Sequence, residues 1–372
     1  MRNSRSLIIT VCFCAFLGGI LLVSLFLPKR SFSSLENRYL QKTPSLSVRT
    51  LQNGDFMEDV ETYAADHIAW RDMWVKFHAL TEKICGKNEI GGIFLAKSNT
   101  LIKHIDPPAD AEMDARADYV SSLSGSLDIP VYFGLIPSAA EIWSDRLPEN
   151  AVCADESADI VRIGENTTAI SVDILSALTS HADEEVFYRT DHHWTSLGAF
   201  YGADALLRGM GQDGLDINDY TPVTVSDDFF GTTYSSSCAF WVKPDHIERY
   251  VPDDSATVTH QDGAKIWDTG LYKDECLDTK DKYSYFLGGN QPLCIVKSDN
   301  TDGKKILLIR DSYSDSLTPF IAERFSEIHL IDLRYYRTSI REYIDENEID
   351  AVVVLYGYST FVSDGNLFLL GR

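Results

Sequence analysis

The chain is 372 residues, 44% hydrophobic and 24% charged. That composition suits one large globular body or two smaller ones, and excludes wholesale disorder or a multi-span membrane protein. The formal charge of −23 repels phosphate backbones, so nucleic acid is not an expected partner.

The charge is uneven. Residues 1–30 hold Arg2, Arg5, Lys29 and Arg30 and no acid, so the remainder is more acidic than the whole. Leu7 to Leu27 carries no charge. At about 1.5 Å per residue it crosses a bilayer core of roughly 30 Å. Leu25-Phe26-Leu27-Pro28-Lys29-Arg30 follows where a cleavage site would show small residues, so an uncleaved single-pass anchor is expected. Basic residues flank both ends and do not orient it. The short N-terminal tail leaves the C-terminal part as the exported, extracytoplasmic domain. Cys12 and Cys14 lie in the span. Cys85, Cys153, Cys238, Cys276 and Cys294 lie outside it and admit one or two disulfides with a thiol left over. No C-x-x-C pair occurs, which argues against a zinc site of that kind. No metal and no cofactor are expected.

Three stretches follow in order: a tail and anchor over 1–30, a connector and helical region over 31–90, and an α/β domain over 91–372. Residues 31–55 read as a polar connector. Asp55 to Cys85 reads as helix with a break at Asp66 to Arg71. Its apolar stripe of Trp74, Phe77, Leu80 and Ile84 is expected to pack on the domain. Gly91–Phe94 and Thr100–Ile105 read as paired strands around Lys97-Ser98-Asn99, and 110–126 as a helix. Pro130 to Pro137 is a nearly continuous apolar run, as in a strand covered on both faces. Residues 212–303 read as a large insertion of loops and short strands. Its aromatics Phe229, Phe230, Tyr234, Phe240 and Trp241 suit either local core or stacking on sugar rings.

The end of the chain is regular. Lys305–Arg310 is a strand, about 315–326 a helix, and Ile328–Leu333 a second strand. Ser339-Ile340-Arg341-Glu342 opens a helix with capping-box residues, and Ala351–Tyr356 is a third strand. This alternation predicts right-handed crossovers and a parallel sheet with helices on both faces. Ligands in such sheets gather at the carboxyl ends of the strands.

Those ends hold the reactive groups. Ser312, just past a buried strand at a helix entrance, is placed to attack a carbonyl while neighbouring amides hold the oxyanion. It equally suits a plain helix N-cap. Asp191-His192-His193 precedes an amphipathic helix bearing Leu197, Phe200, Ala203, Leu207 and Met210. A serine nucleophile needs an imidazole base, and the base needs a carboxylate. Asp191 and His193, two apart, can meet on one side of the segment while His192 points elsewhere. Metal binding by these residues is a rival, made awkward because adjacent histidines in an extended strand face opposite ways; simple local hydrogen bonding is another. No G-x-S-x-G, P-loop or H-E-x-x-H occurs, which disfavours ordinary α/β-hydrolases and P-loop nucleotide chemistry.

Thr190-Asp191-His192-His193-Trp194-Thr195 resembles the signature of the DHHW family of bacterial exported proteins. That family is in turn similar to the periplasmic alginate O-acetyltransferases with an SGNH-hydrolase-like (flavodoxin-like) fold. Leu307 to Ser314 looks like the family's nucleophile block, usually Gly-Asp-Ser-Phe, and Glu36-Asn37-Arg38 and Asp66 to Arg71 look like further landmarks. The resemblance covers roughly residues 35–360. It implies Ser312 as nucleophile, His193 as base and Asp191 as orienting acid. Arg334, Asp311, His192 and Tyr313 are implied as supporting, oxyanion or substrate-contacting groups. The chain departs from the pattern with Arg310 in place of glycine and with no lysine after Pro137. The function so implied is membrane-anchored transfer of an acyl group, acetyl above all, to a cell-surface polysaccharide or wall glycan, with acetyl supplied by a multi-span membrane acyltransferase. A carbohydrate acetylesterase with the same site, or a non-catalytic glycan-binding or assembly protein keeping the fold, are the alternatives.

Overall fold

A computed structural model describes residues 2–252 and 256–371. Residues 253–255 of the insertion lie outside that set, as do the two terminal residues. The chain forms two compact units, one of residues 1–90 and 234–241, the other of 91–233 and 242–372.

The first unit starts with α1 (Arg2–Phe26), whose stretch Arg5–Phe26 is 22 residues long and apolar enough to cross a membrane. The connector is ordered by a two-residue strand pair, Phe32–Ser33 against Arg38–Tyr39. Then come α2 (Asp55–Asp66) and α3 (Arg71–Ile84). The break between them is sharp because Trp70 is left-handed, with φ of 58°. The two early landmarks meet here as one ionic cluster. Arg38 donates to Asp66 at 2.5 and 3.0 Å, Arg71 lies 3.3 Å from Asp66, and Arg71 also donates to Glu36. The Arg38 hydrogen bond holds the Asp66 carboxyl below the ordinary carboxylate range. The stripe on α3 is only partly covered: Trp74 and Leu80 are half-buried, whereas Phe77 is 61% and Ile84 76% exposed.

The second unit is built on an eight-stranded sheet. Its strands are β1 (Val131–Ile136), β2 (Ile170–Ser171), β3 (Ala256–Asp262), β4 (Lys265–Thr269), β5 (Leu293–Ser298), β6 (Lys305–Arg310), β7 (Glu327–Ile331) and β8 (Ala351–Gly357). The order across the sheet is β4-β3-β5-β7-β6-β8-β1-β2. From β7 to β2 every pairing is parallel. The insertion adds β3, β4 and β5 as an antiparallel extension, so its short strands join the main sheet. Alternate residues of the central strands feed two cores. Leu308, Val353 and Leu355 face one side with α6 (Ser196–Gly209) and α7 (Tyr313–Ile321). Leu307, Ile309, Val352 and Val354 face the other with α4 (Asp110–Ser124), α5 (Glu156–Asn166) and α8 (Ile340–Asn347). Helices on both faces are what allow the continuous apolar runs of β6 and β8 to be buried. None of the seven cysteines forms a disulfide.

Two contacts set the backbone around the carboxyl edge. Gly198 on α6 sits where an added Cβ would lie 2.2 Å from the Val186 carbonyl oxygen and 2.9 Å from Trp194 Cβ. Val186 O already accepts from Thr195 N–H at 3.0 Å and cannot yield. Gly198→Ala is therefore expected to lower stability by about 1–3 kcal/mol through overpacking, measured by denaturant unfolding; an unchanged midpoint would refute this close approach. At the end of β1, Ser138 donates its N–H and Oγ–H to the buried Glu156 at 2.7 and 2.6 Å. Burial pushes the Glu156 carboxyl up to about 7. Its protonated form is thus favoured by folding, and the stability it contributes is complete below about pH 4.5 and lost as pH rises through 7. Glu156→Gln, neutral at every pH, is expected to gain on the wild type by on the order of 3 kcal/mol between pH 5 and pH 8; a constant difference would exclude this titration.

Candidate active site

The carboxyl ends of β6, β7 and β8 converge at the start of α7. Residues 313–322 and Asp311 are buried, while Ser312 is half-exposed. Ser312 occupies the N-cap position of α7 but its side chain caps nothing. Its Oγ lies 2.7 Å from His193 Nε2. His193 Nδ1 lies 2.5 Å from Asp191 Oδ1, which also accepts the His193 N–H at 3.0 Å. The acceptor-only carboxylate takes the proton on Nδ1, so Nε2 presents a lone pair to the serine hydroxyl.

The other Asp191 oxygen accepts from the N–H and Oγ–H of Thr232 at 2.6 and 2.9 Å. Burial opposes ionisation of Asp191, but the neighbouring imidazoles and these hydrogen bonds outweigh it and hold the carboxyl well below its ordinary range. Gly231 is obligatory, since a Cβ there would lie 2.1 Å from Asp191 Oδ2. Thr232 has a single hydroxyl proton. With that proton given to Asp191, Thr232 Oγ1 accepts from His192 Nδ1–H, 2.6 Å away, which fixes the His192 tautomer. Burial and the adjacent His193 bring His192 down to about 3; its ring is 28% exposed, so water relieves part of that penalty. Contrary to the extended-strand expectation, the two imidazoles lie together, 3.8 Å between centroids, because residues 189–193 form a turn. Ligand atoms of Asp191, His192 and His193 fall within 4.8 Å of one another. A cation there would have to displace the Ser312 or Asp191 contact, since both His193 nitrogens are engaged.

The insertion builds much of this site. Besides Thr232 it provides Tyr283, whose ring stacks on His193 at 3.7 Å and 6°. The Tyr283 hydroxyl lies 3.2 Å from the Ser312 carbonyl and 3.0 Å from Ser316 Oγ. It also provides Asp245, which accepts from Thr190 N–H and Oγ–H at 2.8 and 2.6 Å and from Arg189 Nε–H at 3.0 Å. Neither position carries a spacing signal; they are single residues in an irregular stretch. Trp194, the last residue of the motif, is buried and donates Nε1–H to Tyr313 O and Ser316 Oγ at 3.0 and 2.9 Å. The Tyr313 hydroxyl returns a bond to the His192 carbonyl. Phe229 is core, packed on Tyr188.

Asp311 is buried and joins two strand ends, accepting from Tyr313 N–H at 3.1 Å and Gly357 N–H at 3.0 Å. Burial raises its carboxyl above the ordinary range. Ser314 N–H and Asp315 N–H bond back to Asp311 O and Ser312 O. The amides of residues 313–315 are therefore used internally and do not face an oxyanion, in contrast to the expectation from the strand–helix position alone. Arg334 follows β7 with its guanidinium clamped by Asp332 at 2.6 and 2.9 Å; its charge reaches Asp311 and His192, but its hydrogen bonds go to Asp332 rather than to Ser312, His193 or Asp191. Arg310 is fully buried. It pairs with Asp315 at 3.0 Å and donates to Asn290 at 2.7 Å. Burial lifts Asp315 to about 7 against the pull of Arg310.

A model of the DHHW protein family matches residues 120–331, a stretch that contains the Asp191-His192-His193-Trp194 motif and Ser312. Among solved structures the chain is similar to a DHHW family protein from Eubacterium siraeum, at 23% identity and a TM-score of 0.67, over 76% of this chain and 95% of that one. It is also similar to PatB1 of Bacillus cereus, solved with a sulfonyl adduct, at 18% identity and a TM-score of 0.62, over 74% and 96% of the respective chains. PatB1 without the adduct gives 18%, 0.60, 73% and 97%. No curated protein matches the sequence. The architecture is the SGNH-like α/β fold, here with a mixed sheet and an N-terminal apolar helix, and the chain belongs to the DHHW family.

Proposed function

We propose that the protein is a membrane-anchored, extracytoplasmic O-acyltransferase of SGNH type that moves an acetyl group onto a polysaccharide through Ser312, His193 and Asp191. The observation that carries this reading is the continuous hydrogen-bonded line from Ser312 Oγ through the His193 ring to Asp191. In the first step His193 Nε2 takes the Ser312 proton as Oγ bonds to the donor's acyl carbon. The donor's leaving oxygen departs with that proton, and an acyl-serine remains. In the second step a sugar hydroxyl gives its proton to Nε2 and attacks the acyl carbon. Ser312 Oγ leaves and recovers the proton. Water in place of the sugar makes the same site an acetylesterase. Asp191 stays ionised throughout and stabilises the imidazolium that forms at each step. Arg334, His192, Asp311 and Tyr313 support this cluster at its rim and floor. The apolar N-terminal helix would keep the enzyme beside a membrane protein that delivers the acyl group.

Hydrolysis of a small acetyl ester by the purified full chain is expected to fall by on the order of 10⁴-fold or more in Ser312→Ala. A sulfonyl fluoride should add to Ser312 of the wild type alone, read by peptide mass; equal activity and equal labelling in both proteins would remove the nucleophile. Asp191→Asn is expected to cost about 10⁴-fold in kcat, because one of its two ends must then present an amide N–H to Thr232 N–H or to His193. Tyr283→Leu removes the stacked ring and the hydroxyl under the serine. It is expected to lower kcat with little change in KM, since Tyr283 positions the imidazole and does not touch substrate; a change in KM alone would show that it binds substrate instead.

A further inference from the structure

The first unit carries an apolar surface that the catalytic reading does not use. On α3, Met73, Phe77 and Ile84 lie four and seven residues apart. At about 100° per residue they share an arc of about 40°. They are 55%, 61% and 76% exposed, and Trp70, just before the helix, is 56% exposed. A clustered exposed patch of large apolar groups on a single helix marks an interaction site. Its place relative to α1 says what covers it. The turn at 67–70 is pinned to α1: Ala69, fully buried, donates its N–H to Ser24 Oγ at 2.8 Å. Ser24 in turn bonds Ile20 O at 2.7 Å, and Arg30 clasps Asp72 with two bonds of 2.8 and 2.9 Å. Ser24 is three residues, or about 4.5 Å, from the end of the apolar run. If α1 spans the bilayer, the turn and the start of α3 are held at the depth where hydrocarbon gives way to headgroups.

We infer that Trp70 and the Met73–Phe77–Ile84 stripe of α3 dock into the interfacial layer of the lipid leaflet from which α1 emerges, as a second, monotopic contact with the membrane. Trp sits at that level because its ring is apolar and its N–H is not. An amphipathic helix lies in the same layer with its apolar face down. Lys29 and Arg30 leave α1 at the same level and suit anionic headgroups; Lys29 folds back to donate to the Ser24 carbonyl at 2.6 Å. The contact would hold the first unit against the bilayer instead of letting it pivot on a single helix.

The inference rests on α1 being a span, and two measurements separate the two claims. The full chain is reconstituted in phosphatidylcholine–phosphatidylglycerol vesicles with bromines on the acyl chains near the headgroup. The span holds no tryptophan, so quenching reports only the rest of the protein. Quenching is expected in the wild type, weaker with bromines at mid-chain, and mostly lost in Trp70→Phe. Trp70 is exposed, so this substitution preserves the fold. Quenching that is absent, or is undiminished in Trp70→Phe, overturns the docking; it would leave the patch to a protein partner. Alkaline carbonate washing is the second measurement. Retention of the chain upholds the span whatever the quenching shows, whereas release overturns the span and the docking together.

Discussion

The imidazole of His193 is held from every side, and the rest of the site depends on that restraint. Asp191 fixes one nitrogen, Ser312 meets the other, and the Tyr283 ring lies flat against one face. Each of these partners is itself tied down: Asp191 by Thr232, the preceding residues by Asp245, and the serine helix by Trp194 and Tyr283. In the function proposed above His193 is a general base, and such a base works only when its lone pair is aimed at the hydroxyl it deprotonates; a displacement of about 1 Å is enough to cost orders of magnitude in rate. Precision of that kind comes from packing and paired hydrogen bonds around the ring rather than from the ring.

This explains what the insertion is for. The parallel part of the sheet ends at β7. Here residues 212–303 continue it with three antiparallel strands and return Thr232, Asp245 and Tyr283 to the site. Asp245 and Thr232 grip the two sides of the same turn, one before Asp191 and one at its carboxylate. Gly231 lets that approach happen at a distance no side chain would tolerate.

The parts that could be read from the sequence were those in which one physical pattern dominates. β1, β6 and β8 are continuous apolar runs because both their faces are covered, and such runs are conspicuous. An acid two residues before a histidine, and a serine at a strand end, are equally conspicuous because the chemistry restricts residue type. The insertion's strands were hard to resolve because β3 and β4 expose much of their length and read as polar chain. Tyr283 and Thr232 act through long-range contact, which leaves no local period. The stripe on α3 is a different case. Trp74 and Leu80 of it are half-buried while Phe77 and Ile84 are exposed, since periodicity shows that a helix has an apolar face and says nothing about what covers it.

Arg310 shows how a departure from a family pattern can be absorbed. A buried guanidinium in place of glycine would be costly if unpaired. It is paired with Asp315, one turn into the helix that Ser312 begins, and with Asn290 from the insertion. The pair therefore links β6, α7 and the insertion at one point. Its own stability is doubtful ground for its presence, since an apolar pair of similar volume is often as stable. What such a pair adds is direction: the two side chains meet in one relative placement of strand and helix, although Arg310 Nε and Nη2 find no hydrogen-bond partner among the described residues. If Ser312 is the nucleophile of the proposed function, that single placement is the useful property, since the same helix start holds Ser312 Oγ 2.7 Å from the His193 imidazole.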